Sequence, residues 1–211
     1  MISYSQANQD LFVKTIMKGK KNGYFLEIGS NHPSQHNNTY LLEKNYNWKG
    51  LMVEYDKSFE ELYKMERPNS IYELNDARLV NYKEIMDKNN FPLNMDYLQI
   101  DLDVDNKSTL DTFLLLNNDI FDKYKFATIT FEHDIYRGDY FNTQSISRKI
   151  LIDKGYLLVF PNVSVFWEGS YKPFEDWYVH PDLVDMELIN KIKTTKNLNS
   201  DEIKELLFSY N

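Results

Sequence analysis

The chain has 211 residues and no cysteine, which excludes disulfides, thiolate metal sites and cysteine nucleophiles. A net charge of −8 at pH 7, with Lys18-Gly19-Lys20-Lys21 as the densest basic cluster, disfavours a phosphate backbone as partner, so no nucleic acid is expected. A hydrophobic fraction of 42% is globular, no apolar run approaches the ~20 residues of a membrane span, and Met1–Gln6 lacks a basic-then-apolar leader, so a soluble, cytoplasmic chain is expected.

Taken in chain order, Leu11, Phe12, Ile16 and Met17 follow Asn8-Gln9-Asp10 at helical spacing and predict an opening amphipathic helix. An apolar strand over about 24–28 runs into the loop Gly29-Ser30-Asn31. Asn38 or Thr39 caps a helix through Lys44, and Trp48-Lys49-Gly50 turns the chain into a second strand, about 51–54, that closes on Glu54. A helix over about 57–65 is broken by Pro68, and a strand over about 70–74 precedes the loop Asn75-Asp76-Ala77. Residues 80–88 read as helix and 97–101 as a strand ending in Asp101. A helix opened by Ser108 or Thr109 runs through Leu116, and the strand at 126–131 is followed by Glu132-His133-Asp134. After a helix at 143–154 stopped by Gly155, strands at 156–160 and 163–167, joined at Pro161-Asn162, predict an antiparallel hairpin; Glu175–His180 reads as a loop. Two weaker helical patterns, about 184–193 and 201–209 with Ser200 as N-cap, make residues 182–211 a helical tail.

Strands that alternate with helices and finish in a hairpin specify an α/β fold: a three-layer sandwich around a seven-stranded, mostly parallel sheet, with residues 1–211 as one domain. Such sheets bind ligands at the carboxyl ends of their strands, and Glu27, Glu54, Asp101 and Glu132 are expected to share that rim.

Ser5-Gln6, Asn8-Gln9-Asp10, Gly23–Asn31, Asn38-Thr39-Tyr40 and Trp48–Glu54 together resemble the FkbM-type methyltransferases. Phe126–Asp134, Ser147-Arg148, Lys154-Gly155-Tyr156 and Phe174–Pro181 are similar to a sugar-pathway branch of that group, so the resemblance spans most of residues 4–184. It implies the class I methyltransferase Rossmann-like fold, S-adenosylmethionine as cofactor, and O-methylation of a carbohydrate or nucleotide-sugar hydroxyl. Two positions depart from the family pattern: the glycine-rich loop is reduced to Gly29, and Asp101-Leu102-Asp103-Val104-Asp105 replaces Asp-x-Glu-Gly.

Such a cofactor needs a carboxylate for its ribose diol, a polar edge for adenine and close backbone approach near its methionyl end. Glu54 with Tyr55, Asp76 with Ala77, and Gly29 with Ser30 and Asn31 supply these; Glu27 orients the methionyl amine, and Gln6 and Asp10 belong to an element folding over the cofactor or act as helix caps. His133 is either the general base or a structural histidine bonded to Asp101 or Asp103, with Asp101 and Glu132 nearest the chemistry. Asp101, Glu132 and Asp134 form an oxygen-rich set suited to Mg²⁺ or Mn²⁺. Asp103, His133, Asp134, Arg137, Trp177 and His180 are the candidate acceptor contacts. Among them Trp177 stacks on a pyranose or closes the core, and Arg137, like Arg148, holds a phosphate or a surface acid. His32 and His36 face the acceptor or solvent. The rival reading is a methyltransferase-fold module without turnover that binds cofactor or a partner in glycan assembly. A nicotinamide enzyme is disfavoured because Gly-x-Gly-x-x-Gly is missing.

Overall fold

The computed structural model describes residues 2–138 and 140–210. Seven strands form one sheet in the order β3-β2-β1-β4-β5-β7-β6. β1 (Tyr24–Ile28), β2 (Lys49–Glu54), β3 (Ile71–Leu74), β4 (Asn94–Ile100) and β5 (Lys125–Glu132) pair in parallel. β6 (Leu157–Trp167) and β7 (Ser170–Val179) complete the sheet, β7 running antiparallel to both neighbours. The expected architecture is therefore present.

The hairpin differs from its expected form. Pro161-Asn162 does not turn the chain; it falls within the register shifts of β6, where a proline needs no ladder hydrogen bond. The turn lies at Glu168-Gly169, both at positive φ (47° and 79°) between the paired Trp167 and Ser170, the two-residue geometry whose twist matches a hairpin. Residues 175–179, expected as a loop, are thus the inner half of β7, inserted between β5 and β6.

Helices cover both faces. Leu26, Ile28, Leu51, Leu98, Ile100 and Phe131 pack under α4 (Tyr82–Lys88), α5 (Ser108–Asp119) and α6 (Phe141–Asp153). Phe25, Met52, Tyr97 and Trp177 pack under α1 (Gln9–Ile16), α2 (Tyr40–Tyr46), α3 (Glu60–Glu66), α7 (Met186–Ile192) and α8 (Ser200–Phe208). The cap of α8 is Asn199 rather than Ser200: its side chain accepts from the backbone of Asp201 and Glu202, and Glu202 returns a bond to the Asn199 N–H, a capping box worth about 1 kcal/mol. At α2 neither expected cap acts through its side chain; Asn37 Oδ1 accepts from Thr39 N and Tyr40 N instead. Among the described residues no helix is long and apolar enough to cross a membrane.

Candidate active site

A cleft of about 790 Å³ opens at the carboxyl ends of the parallel strands, beside the β1/β4 boundary where strand order reverses. Gly29 forms its floor. Its φ is +81°, and a Cβ there would lie 1.6 Å from the Asp101 carbonyl oxygen. The glycine is thus demanded by the backbone leaving β4, and the expected approach to a ligand is not what excludes a side chain. Asp101 N closes this junction by donating to the Ile28 carbonyl, and Gly29 N ties the same loop to β2 through the Val53 carbonyl, both at 2.9 Å.

Glu54 closes β2 at this edge, where its Oε2 accepts from Asn31 N (2.7 Å) and its Oε1 from Asp56 N (2.8 Å). A carboxylate offers about four acceptor positions, so each oxygen keeps one for a ligand while the backbone holds its orientation. Tyr55, Phe59, Asn75 and Ala77 extend the wall beyond β2 and β3. Asp76 caps the turn that follows and takes the Arg78 guanidinium at 2.6–2.9 Å, and these bonds hold its carboxyl below the usual range. Gln6, Asn31, Asp101 and Asp103 also line the cleft, as does His36.

Three of the expected cofactor contacts lie elsewhere. Glu27 is buried below the loop 30–39 and accepts from Thr39 Oγ1 (2.6 Å), Asn38 N (3.0 Å) and Asn37 Nδ2 (3.3 Å). Burial outweighs Arg67 and those donors and lifts its pKa to about 7. Arg67, itself buried, clamps the same loop through the Pro33 carbonyl, Asn37 and Thr39, and pairs with Glu43 at 2.8 Å. Ser30 is turned inward to Tyr63 (2.6 Å) and the Val53 carbonyl. Asp10 folds the N-terminal segment by accepting from Ser3 Oγ, Tyr4 N and Ser5 Oγ. All three brace the cleft wall from behind because their oxygens are consumed by local donors.

Beyond Asp101 the rim is acidic. Asp101, Glu132 and Asp134 interact through hydrogen bonds centred on Glu132, and burial raises all three, Glu132 well above the ordinary carboxylate range. Burial and mutual repulsion oppose charging all three at once, so these carboxyls titrate as one group. Glu175, missed in the sequence because its segment reads as a loop, faces Glu132 across β5–β7. It is fully buried, takes Gln9 Nε2 (3.0 Å) and Trp177 Nε1 (2.5 Å), and is pushed up to about 8 by burial and by Asp101. Among the described residues no three His, Asp or Glu side chains converge as a metal-holding set, so the Mg²⁺ or Mn²⁺ expected at Asp101, Glu132 and Asp134 finds no site.

His133 is not placed to serve as general base. Its side chain is 0% exposed, with Nε2 3.2 Å from Gln144 Nε2 and 3.5 Å from Asp176 Oδ1. Its carboxylate partner is Asp176 rather than the expected Asp101 or Asp103. Burial works to raise Asp176, yet Arg148 and His133 overcome it and hold the carboxyl well below its usual range. Arg148 is thereby committed to Asp176 (2.7 and 2.8 Å). Arg137 pairs with Asp105 (2.8 Å) and Asp134 (3.3 Å) and does not line the cleft. Trp177, 0% exposed, packs between Phe12 and Phe160 and has no face for a sugar. His180 lies at the opposite edge of the sheet, donating its N–H to the Ala127 carbonyl near the start of β5 and packing on Tyr156, because β7 runs away from the cleft.

No protein-family model matches the chain, and no curated protein is matched by its sequence. Solved structures do match in three dimensions. M. capricolum TrmK in complex with S-adenosyl-homocysteine is 15% identical, with 100% of this chain and 82% of that one covered at a TM-score of 0.54. The TehB-like SAM-dependent methyltransferase of Corynebacterium glutamicum is 11% identical over 82% of this chain and 87% of its own, TM-score 0.50. A Pyrococcus furiosus methyltransferase is 18% identical over 81% and 80%, TM-score 0.50. With strand order 3-2-1-4-5-7-6 and a reversed β7, the chain has the Rossmann-like fold of the S-adenosylmethionine-dependent methyltransferases.

Proposed function

We propose that this protein is an S-adenosylmethionine-dependent O-methyltransferase whose acceptor is a carbohydrate hydroxyl. The observation that carries the reading is one cleft, at the switch point of the sheet, lined by both the braced Glu54 carboxylate and Asp101, which Glu132 hydrogen-bonds from behind. The donor set fits the cofactor: Glu54 retains acceptor positions for a diol, Tyr55 and Phe59 offer ring faces to a purine, and the Asn75–Arg78 turn offers a polar edge. The neighbour bound to S-adenosyl-homocysteine and the FkbM-like motifs support the same cofactor.

When bound, S-adenosylmethionine supplies a methyl group on a positively charged sulfonium. Asp101, at the reacting end of the cleft, accepts the acceptor's proton as general base, and its raised pKa brings it nearer to the hydroxyl it must deprotonate. Glu132 fixes the Asp101 carboxylate by a hydrogen bond while the surrounding acids favour positive charge nearby. Those acids and the net charge of −8 repel phosphodiesters, which favours a neutral polyol over nucleic acid. Titration calorimetry with S-adenosyl-homocysteine, followed by transfer of labelled methyl to methyl glycosides, nucleotide sugars or RNA, tests the reading. Binding with transfer to a carbohydrate is expected; no binding refutes the cofactor, and transfer to RNA alone refutes the acceptor.

A further inference from the structure

With Trp177 and His180 removed from it, the acceptor side of the cleft needs other residues, and the fold places a group of them beside the rim. β5 runs toward the carboxyl edge and its ladder with β7 ends at Glu132 opposite Glu175, where His133 and Asp134 still donate to the Phe174 carbonyl (2.7 and 3.1 Å). Ser170–Pro173 and their partners in β6 continue past that point, about 13 Å at ~3.3 Å per residue. The overhang therefore projects at the same edge as the cleft.

Its tip is aromatic. Phe166 is 64% exposed, Trp167 54% and Tyr171 46%, and the rings of Phe166 and Tyr171 meet edge to face at 5.5 Å. Nearer the sheet, Val165 and Phe174 of the same two strands are buried in the core under α1 and α8, so burial has been satisfied where packing required it. Large rings left in water at the end of a ribbon are a recognition feature rather than a packing one. The tip also adjoins the acidic cluster. Phe174, whose carbonyl takes His133 N and Asp134 N, is one residue from the overhang, and Tyr136, two residues beyond Asp134, has its hydroxyl pKa raised by burial and by Asp134 against Arg137, with Glu132 and the turn residue Glu168 adding to the rise.

We propose that Phe166, Trp167 and Tyr171 form the acceptor platform, on which a neutral carbohydrate rests a C–H face while its hydroxyls point to the acidic rim. The proposal rests on the O-methyltransferase reading of the cleft and adds the residues that select the substrate. A pyranose presents an apolar face edged by hydroxyl donors; rings match the face and carboxylates accept from the edge. Glu168 at the turn and the buried acids Glu132 and Glu175 below it disfavour anionic occupants, while Asp134 and Asp105 are held by Arg137.

Trp167 is a built-in probe, because Trp48 and Trp177 are buried and only Trp167 is open to a collisional quencher. The full chain is titrated, without cofactor, with methyl glycosides and trisaccharides of neutral hexoses and 6-deoxyhexoses while acrylamide quenching is followed. At least one carbohydrate should shield Trp167. Tyr171→Ala should weaken that binding and raise the acceptor KM about 3- to 10-fold, the worth of one ring contact, with the melting temperature and S-adenosyl-homocysteine affinity unchanged. Shielding by none of the carbohydrates, or only by phosphatidylcholine vesicles or by raising the protein concentration, overturns the proposal. Carbohydrate shielding without S-adenosyl-homocysteine binding keeps the platform and removes the cofactor reading. Methyl transfer to a carbohydrate with unaltered KM in both Tyr171→Ala and Trp167→Leu keeps the cofactor reading and removes the platform.

Discussion

Glu27→Gln should make the protein more stable, and increasingly so as pH rises. The folded pKa of Glu27 is about 7, against 4.5 for the unconstrained side chain, because burial opposes its charge more than Arg67 and three hydrogen bonds support it. A carboxyl with a raised folded pKa binds its proton more tightly in the native state. Its contribution is therefore fully present below pH ~4.5 and is lost as pH climbs through ~7. Linkage across this interval gives a wild-type deficit of about 1 kcal/mol at pH 5 and about 3 kcal/mol at pH 8, relative to a side chain that stays neutral. Glutamine is that side chain. Any cost of turning its amide toward Thr39 or Asn37 is independent of pH, so the informative quantity is the change in the difference, about 2 kcal/mol, or roughly 4–8 °C in Tm for a chain of this size. Urea titrations of both proteins at pH 5, 6, 7 and 8 measure it, and other titrating groups cancel between them. A difference that stays flat across the range, or falls toward pH 8, would refute the assignment of Glu27 as a buried acid held against its charge.

The remaining expectations concern the cleft and its support. Glu54→Ala should weaken S-adenosyl-homocysteine binding by about 10- to 100-fold in calorimetry, the loss of a charge-assisted contact, and undiminished binding would move the diol elsewhere. Arg67→Met leaves Glu43 buried without its cation and releases the loop 30–39, so unfolding free energy should fall by about 3–5 kcal/mol, with partial recovery when Glu43→Leu is added. Gly29→Ala forces a methyl group to within 1.6 Å of the Asp101 carbonyl oxygen at φ +81°, and the soluble yield or melting temperature should drop sharply; a variant of native stability would contradict the described β1/β4 junction. Turnover needs Asp101 deprotonated, so the acid limb of kcat should lie above the usual carboxylate value. Glu132→Gln, which keeps a donor, should hold that limb lower than Glu132→Leu does.

Local chemistry made much of this legible. Each parallel strand announces itself by a β-branched or apolar run closed by a turn residue or an acid, and Glu54 sits in the cleft for the reason its strand end suggested. Asp76 with Ala77, Asn31, Gly29 and Asp101 were readable in the same way, since each is set by position along one strand and the loop after it. The hairpin was misplaced because Pro161-Asn162 is a stronger turn signal than Glu168-Gly169, and one register decision then moved residues 175–179 from loop to strand. Trp177, His180 and Glu175 were misassigned or missed by that single step: the insertion of β7 buried the first, carried the second to the far edge and set the third opposite Glu132.

Periodicity, strand-end acids and turn residues were enough to specify the alternating α/β layers and the edge at which the cleft opens, because those depend on neighbours within one or two elements. Which acids face the cleft and which are consumed behind it depended on long-range partners: Arg67 and Thr39 for Glu27, the N-terminal serines for Asp10, Asp176 for His133. A side chain's solvation and its hydrogen-bond partners are properties of the packed whole. For that reason the raised acids of the rim, and the burial of the residue first expected to act as base, emerged only when the strands were brought together.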